Sequence, residues 1–157
     1  MACTGNLLQN WSFELPLVSG QNIPYWYETP QEGSIVQGSG YQVDGQNNAF
    51  IGPHESMYQQ VSVQAGETYT LTFWAGTHNP QENETVSLVF INSNGVPIAR
   101  GLLSVQIDHD VDNDLTPPFL MQYTLQGTVP ANAMAVRVFV RNQGNNTLNF
   151  DAACLTK

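Results

Sequence analysis

The 157-residue chain reads as an all-β protein, an antiparallel two-sheet β-sandwich occupying residues 1–157 as one domain. Three observations predict it. Helical periodicity is absent, and period-2 alternation of apolar and polar residues recurs in its place. Turn-forming stretches ("QAGE", "NSNG", "VPAN", "NQGNN") break the alternation at short intervals. The resulting segments are short and number about ten, the pattern of a sandwich and not of strands alternating with helices.

In chain order, the weakly marked strands come first: Asn6–Leu8, Tyr25–Tyr27, Ser34–Val36 and Ala49–Ile51. Six clear ones follow: Met57–Val63, Thr68–Gly76, Thr85–Ile91, Phe119–Thr128, Met134–Arg141 and Thr147–Cys154. Successive side chains on a strand point to opposite faces, so parity sorts core from surface. Tyr69, Leu71, Phe73 and Ala75 fall on the core side, as do Val136, Val138 and Val140, then Met121, Tyr123 and Leu125, and Val61 and Val63. The outward set comprises Trp74, Arg137, Phe139, Arg141, Gln122, Tyr58 and Gln60, with several threonines. Sugar rings carry an apolar C–H face and a rim of hydroxyls that both donate and accept. Flat aromatics among amides and guanidiniums match that chemistry. The set is therefore a candidate saccharide platform. The alternative is that Trp74 and Phe139 are covered by other segments and only pack.

Composition narrows the classes further. The length suits one core. The net charge is −9 with only four Lys and Arg residues, too few cations for the basic patch that nucleic acid or an anionic membrane requires. No apolar run reaches the roughly 20 residues of a membrane span. The opening "MACTGNLL" has neither the basic region nor the apolar run of a leader and reads as the start of a mature domain. Cys3 and Cys154 lie near the two chain ends. If the terminal segments pair, a disulfide joins them and implies an oxidising, exported setting; two free thiols or a lipid-anchored Cys3 are the alternatives.

Four of the six aspartates, Asp108, Asp110, Asp112 and Asp114, occupy alternate positions in "QIDHDVDNDL". The first three have the start of a calcium loop. Asn113 stands where such a loop needs Gly, and Phe119 where it needs the bidentate Glu, so no EF-hand forms. A solvated acidic loop is the leading reading and a looser calcium loop the other. No enzyme motif emerges: the chain has no Gly-x-Ser-x-Gly or His-Glu-x-x-His, and His54, His78 and His109 lack the spacing of a zinc site.

The segments "NLLQNWSFELP", "QQVSVQAGETYTLTFWAG", "VPANAMAVRVFV" and "NTLNFDAACL" follow one another in an order that resembles the carbohydrate-binding modules of the family 4/9/16/22 group, within the galactose-binding-like jelly rolls. The first half is also similar to the DUF642 cell-wall-associated proteins. The resemblance implies a jelly-roll sandwich and a non-catalytic module that binds a polysaccharide or oligosaccharide, secreted or at a cell surface, as part of a larger multidomain protein. It also implies a structural calcium at Glu14 and Asp151. The chain departs from many relatives in having Asp151-Ala152 where they have two aspartates, one carboxylate fewer. Trp26 matches a core tryptophan, which leaves Tyr25 and Tyr27 to border the ligand face. His54 and Tyr58 lie where some relatives place a sugar-stacking residue. The rival expectation is a calcium-stiffened structural or adhesion domain without sugar binding.

Overall fold

The computed structural model describes residues 3–17, 21–29, 35–80, 83–98 and 103–157. Among the described residues, ten strands form two antiparallel five-stranded sheets, the two-sheet sandwich that the alternation predicts. They are β1 (Tyr27–Thr29), β2 (Val36–Gly38), β3 (Asn48–Ile51), β4 (Glu55–Ser62), β5 (Thr68–Thr77), β6 (Glu84–Asn92), β7 (Leu103–Gln106), β8 (Met121–Thr128), β9 (Ala133–Asn142) and β10 (Leu148–Thr156). The first sheet runs β1-β4-β9-β6-β7 and the second β2-β3-β10-β5-β8. Among the described residues no helix is long and apolar enough to cross a membrane.

The core lies between the sheets and is made by the inward parity of both. Leu71, Phe73 and Ala75 of β5 face Val136, Val138 and Val140 of β9, with Val86, Leu88 and Phe90 of β6 beside them, all buried. Phe150 packs near-perpendicular to Trp26, ring centroids 5.9 Å apart, and Phe13 lies 5.6 Å from Trp26. These contacts bring the N-terminal segment against the last strand.

Several expectations change. Asn6–Leu8 is not a strand: the Leu7 N–H reaches the Leu155 carbonyl (2.9 Å), but the Asn6 side chain makes the adjoining bonds to Leu155 N–H (3.0 Å) and the Ala153 carbonyl (2.9 Å). A side-chain amide thus replaces the backbone ladder while still laying the chain start along β10. That proximity lets Cys3 and Cys154 form a disulfide, Cα atoms 6.0 Å apart. Met121 is exposed and not in the core, because it ends an edge strand. Strand β7 went unrecognised, being four residues long and abutting the acidic run. The early strands also shift: Tyr25–Tyr27 becomes β1, and Ser34–Val36 becomes β2 at Val36–Gly38, with Ser34 outside the described residues.

Candidate functional site

The register of the first sheet places its outward residues in rows. Tyr27 pairs with Tyr58, Tyr58 with Phe139, Phe139 with Ser87 and Ser87 with Ser104, so one row crosses all five strands. Beside it on one side lie Ser56, Arg141 and Thr85; on the other lie Gln60, Arg137 and Val89. Two arginines therefore flank an aromatic row, because Arg137, Phe139 and Arg141 share the outward parity of β9.

The rings support one another. Tyr58 and Phe139 are parallel within 10°, centroids 5.9 Å apart, and Tyr27 lies 5.0 Å from Tyr58 on its other side. The Arg137 guanidinium carbon sits 4.4 Å from the Tyr58 ring centroid, a cation–π contact. Arg137 Nε also donates to Gln60 Oε1 (2.9 Å). On the far side of Phe139 a groove of about 410 Å³ opens, lined by Phe139, Arg137, Arg141, Thr85, Ser87, Val89, Pro97 and Ser104. Tyr58 does not line it. It backs Phe139, whose free side forms the wall. Ser87 Oγ donates to Ser104 Oγ (2.9 Å) on the opposite bank. Arg141 continues into a cavity of about 210 Å³ shared with His54, Glu55 and Gln143. Here His54 holds a left-handed backbone (φ 64°) in the turn that Gly52 and Glu55 close. Oriented by its partners, the Gln143 side-chain oxygen accepts from Arg141 Nε (3.1 Å).

The structure brings Tyr58, Gln60, Arg137, Phe139, Arg141 and His54 to this face, but not Trp74 or Gln122. Those two belong to the second sheet, where Trp74 lies between Asp151 and Gln122. The single outward face expected from parity is therefore corrected to two faces on opposite sides of the sandwich. Alternation separates inside from outside and carries no information about which sheet a strand joins. Trp74 is half-buried, its Nε1 enclosed with no hydrogen-bond partner among the described residues. Thr85 and Ser87 were legible from the alternation of β6. Ser104 was missed with β7.

The implied calcium can be tested against the residues meant to hold it. Asp151, paired opposite Trp74 just before a register shift in β10, meets the loop 43–47, where its Oδ2 accepts the N–H groups of Val43 (2.7 Å) and Asp44 (3.0 Å). Its Oδ1 accepts Ala152 N–H (2.7 Å). Burial outweighs these bonds and pushes the Asp151 carboxyl up to about 7. Glu14 Oε1 meets the same loop and accepts Gln46 N–H (2.7 Å) and Asn47 N–H (2.8 Å). Calcium takes oxygen ligands, whereas this loop offers both carboxylates N–H donors. Among the described residues no three His, Cys, Asp or Glu side chains are placed to share a metal. The arrangement fits a hydrogen-bonded clamp on the loop and does not fit the cation.

The acidic run is likewise distributed over separate partners. Asp108 accepts the Tyr123 O–H (3.0 Å), and Asp110 caps Asp112 N–H (2.9 Å) at the start of a short 3₁₀ turn, Val111–Asn113. Asp112 meets His78 (2.8 Å) and Asp114 meets His109 (2.6 Å). Burial and the Asp108 carboxylate together raise the Tyr123 hydroxyl to about 12.

The backbone is similar to several solved structures at low identity. One is the enzymatically active domain of bacteriophage CBA120 tailspike protein 4, at TM-score 0.67 and 15% identity, covering 96% of this chain but only 21% of that one. This chain thus spans about a fifth of that protein's length. A second is TmCBM61 in complex with beta-1,4-galactotriose, at TM-score 0.60 and 15% identity over 98% of this chain and 99% of that module. A third is a CBM4 structure at TM-score 0.61 and 18% identity, covering 94% and 97%. Carbohydrate-binding modules are thus among the structural neighbours, as the resemblance implied, and at these identities they establish the jelly-roll sandwich alone. No curated protein matches the chain. The matching family model is a different one from DUF642. It is described as a domain of unknown function and covers residues 20–155, so the chain belongs to the DUF7850 family.

Proposed function

We propose that the chain is a non-catalytic carbohydrate-binding module whose ligand lies in the groove beside Phe139. The observation that carries this reading is the open groove walled by Phe139, with Arg137 and Arg141 on either side of it and hydroxyls of Thr85, Ser87 and Ser104 across from it. A saccharide ring stacks its C–H face on Phe139 while the guanidiniums and hydroxyls take its polar rim. Tyr27 and Tyr58 hold Phe139 in place before ligand arrives, which reduces the ordering needed on binding. The solved TmCBM61 neighbour is described with a bound galactotriose, in keeping with a sugar ligand on this fold.

The groove has no carboxylate among its lining residues, whereas glycoside hydrolysis ordinarily uses a facing pair. That favours binding over catalysis. The disulfide suits a secreted or surface-exposed protein, and attachment to further domains would let a weak, wet site act by avidity. The test is electrophoresis of the purified domain through gels containing individual polysaccharides, with Phe139→Ala as the comparison. Retardation of the parent and its loss in the variant support the reading. No retardation by any polymer overturns it and leaves the scaffold alternative.

A further inference from the structure

The groove's chemistry is lopsided. The chain carries 13 acidic residues against four Lys and Arg, and two of those four cations, Arg137 and Arg141, line this one groove. Elsewhere among the described residues, ion pairs join His78 to Asp112, His109 to Asp114 and Lys157 to Glu67. The two amide oxygens nearest the arginines are already engaged: Gln60 accepts from Arg137 and Gln143 from Arg141. These contacts orient the guanidiniums and occupy part of the amide acceptor capacity beside them. What remains facing the ligand is rich in N–H donors, with hydroxyls as the acceptors. Guanidiniums present paired donors in a planar fork suited to carboxylate and sulfate oxygens.

Resting on the saccharide-platform reading, we infer that the ligand is an anionic polysaccharide, bearing carboxylate or sulfate groups, gripped at Arg137 and Arg141 with a sugar ring on Phe139 between them. The two arginines lie four residues apart on β9, about 13 Å along an extended strand, so the groove engages more than one sugar unit. Glu55, whose Oε1 accepts Gly52 N–H (2.6 Å), stands in the cavity beyond Arg141 and marks the end at which an anionic chain is no longer favoured. The protein as a whole carries net −9 even with these two arginines counted, so its surface elsewhere repels polyanions and confines binding to this face.

The matched probes are polygalacturonate and its fully methyl-esterified form, dextran sulfate and dextran, with neutral xylan and galactan, each at low and high sodium chloride. The expected result is retention by a charged polymer, weakened at least about tenfold by salt or by esterification. Whichever charged polymer is held assigns the anion as carboxylate or sulfate. Arg137→Gln and Arg141→Gln each weaken retention about tenfold, the scale of one charged hydrogen-bonding partner. Circular dichroism checks that the variants stay folded. Equal, salt-insensitive retention by neutral polymers that is lost in Phe139→Ala but kept in Arg141→Gln overturns the anionic ligand and leaves the platform standing. Charged-polymer retention unaffected by any of the three substitutions places binding elsewhere and overturns the inference. Retention by none of the polymers overturns the platform reading itself.

Discussion

The Tyr58 and Phe139 rings lie parallel within 10° on neighbouring strands, centroids 5.9 Å apart. The pairing fixes which ring can meet a ligand. Tyr58 is enclosed by Tyr27, Phe139 and Arg137, and Phe139 keeps one side free in the groove. Phe139→Ala should therefore reduce polysaccharide affinity about tenfold. Tyr58→Ala should reduce it less, through loss of support for Phe139 and Arg137. Trp74→Ala, on the other sheet, should leave it unchanged. Isothermal titration of the three variants checks the order, and a loss in Trp74→Ala equal to that in Phe139→Ala would move the site to the opposite face.

The Cys3–Cys154 bridge closes almost the whole chain into one loop. Reduction, or Cys3→Ser with Cys154→Ser, should lower unfolding free energy by about 2–5 kcal/mol. Denaturant titration with and without reductant measures it. An unchanged midpoint would mean that Asn6 and the β10 contacts hold the chain start unaided.

Asp151 predicts a pH dependence of unusual sign for a carboxylate. Its folded value, about 7, lies above the ordinary value near 4, so the native state holds this proton more tightly than the unfolded chain. Its contribution to stability is greatest near pH 4 and declines as pH rises towards 7. Glu28, also raised by burial, acts in the same direction. The slope of denaturation midpoint against pH over this window should shrink in Asp151→Asn. An identical slope in the variant would show that Asp151 is ionised in the folded state throughout.

The N–H donors around Glu14 and Asp151 lead to a metal prediction. Calcium or a chelator should leave the thermal midpoint unchanged. A resident ion would instead add about 2.7 kcal/mol at a hundredfold excess over its dissociation constant. A saturable rise with calcium, abolished in Glu14→Gln, would show that the loop 43–47 turns carbonyls inward to receive it.

Much of this molecule was legible in one dimension. Alternation is a local property, so Phe73, Val138 and Val140 were assigned to the core and Arg137, Phe139 and Arg141 to the surface without any tertiary information. Cysteines at the two ends foretold the bridge that closes the chain. Less legible was Asn6, whose side chain imitates a strand bond that pattern alone attributes to backbone.

Sheet membership was decided in three dimensions. Trp74 and Phe139 both alternate outward, yet β5 pairs with β8 and β10 while β9 pairs with β4 and β6, which sets the two rings on opposite outer faces. Ladder partners are chosen by hydrogen bonds between distant segments and by how two apolar faces close on each other, and no window of neighbouring residues contains that choice. The same long-range closure turned the carboxylates of Glu14 and Asp151 towards backbone N–H groups on one shared loop.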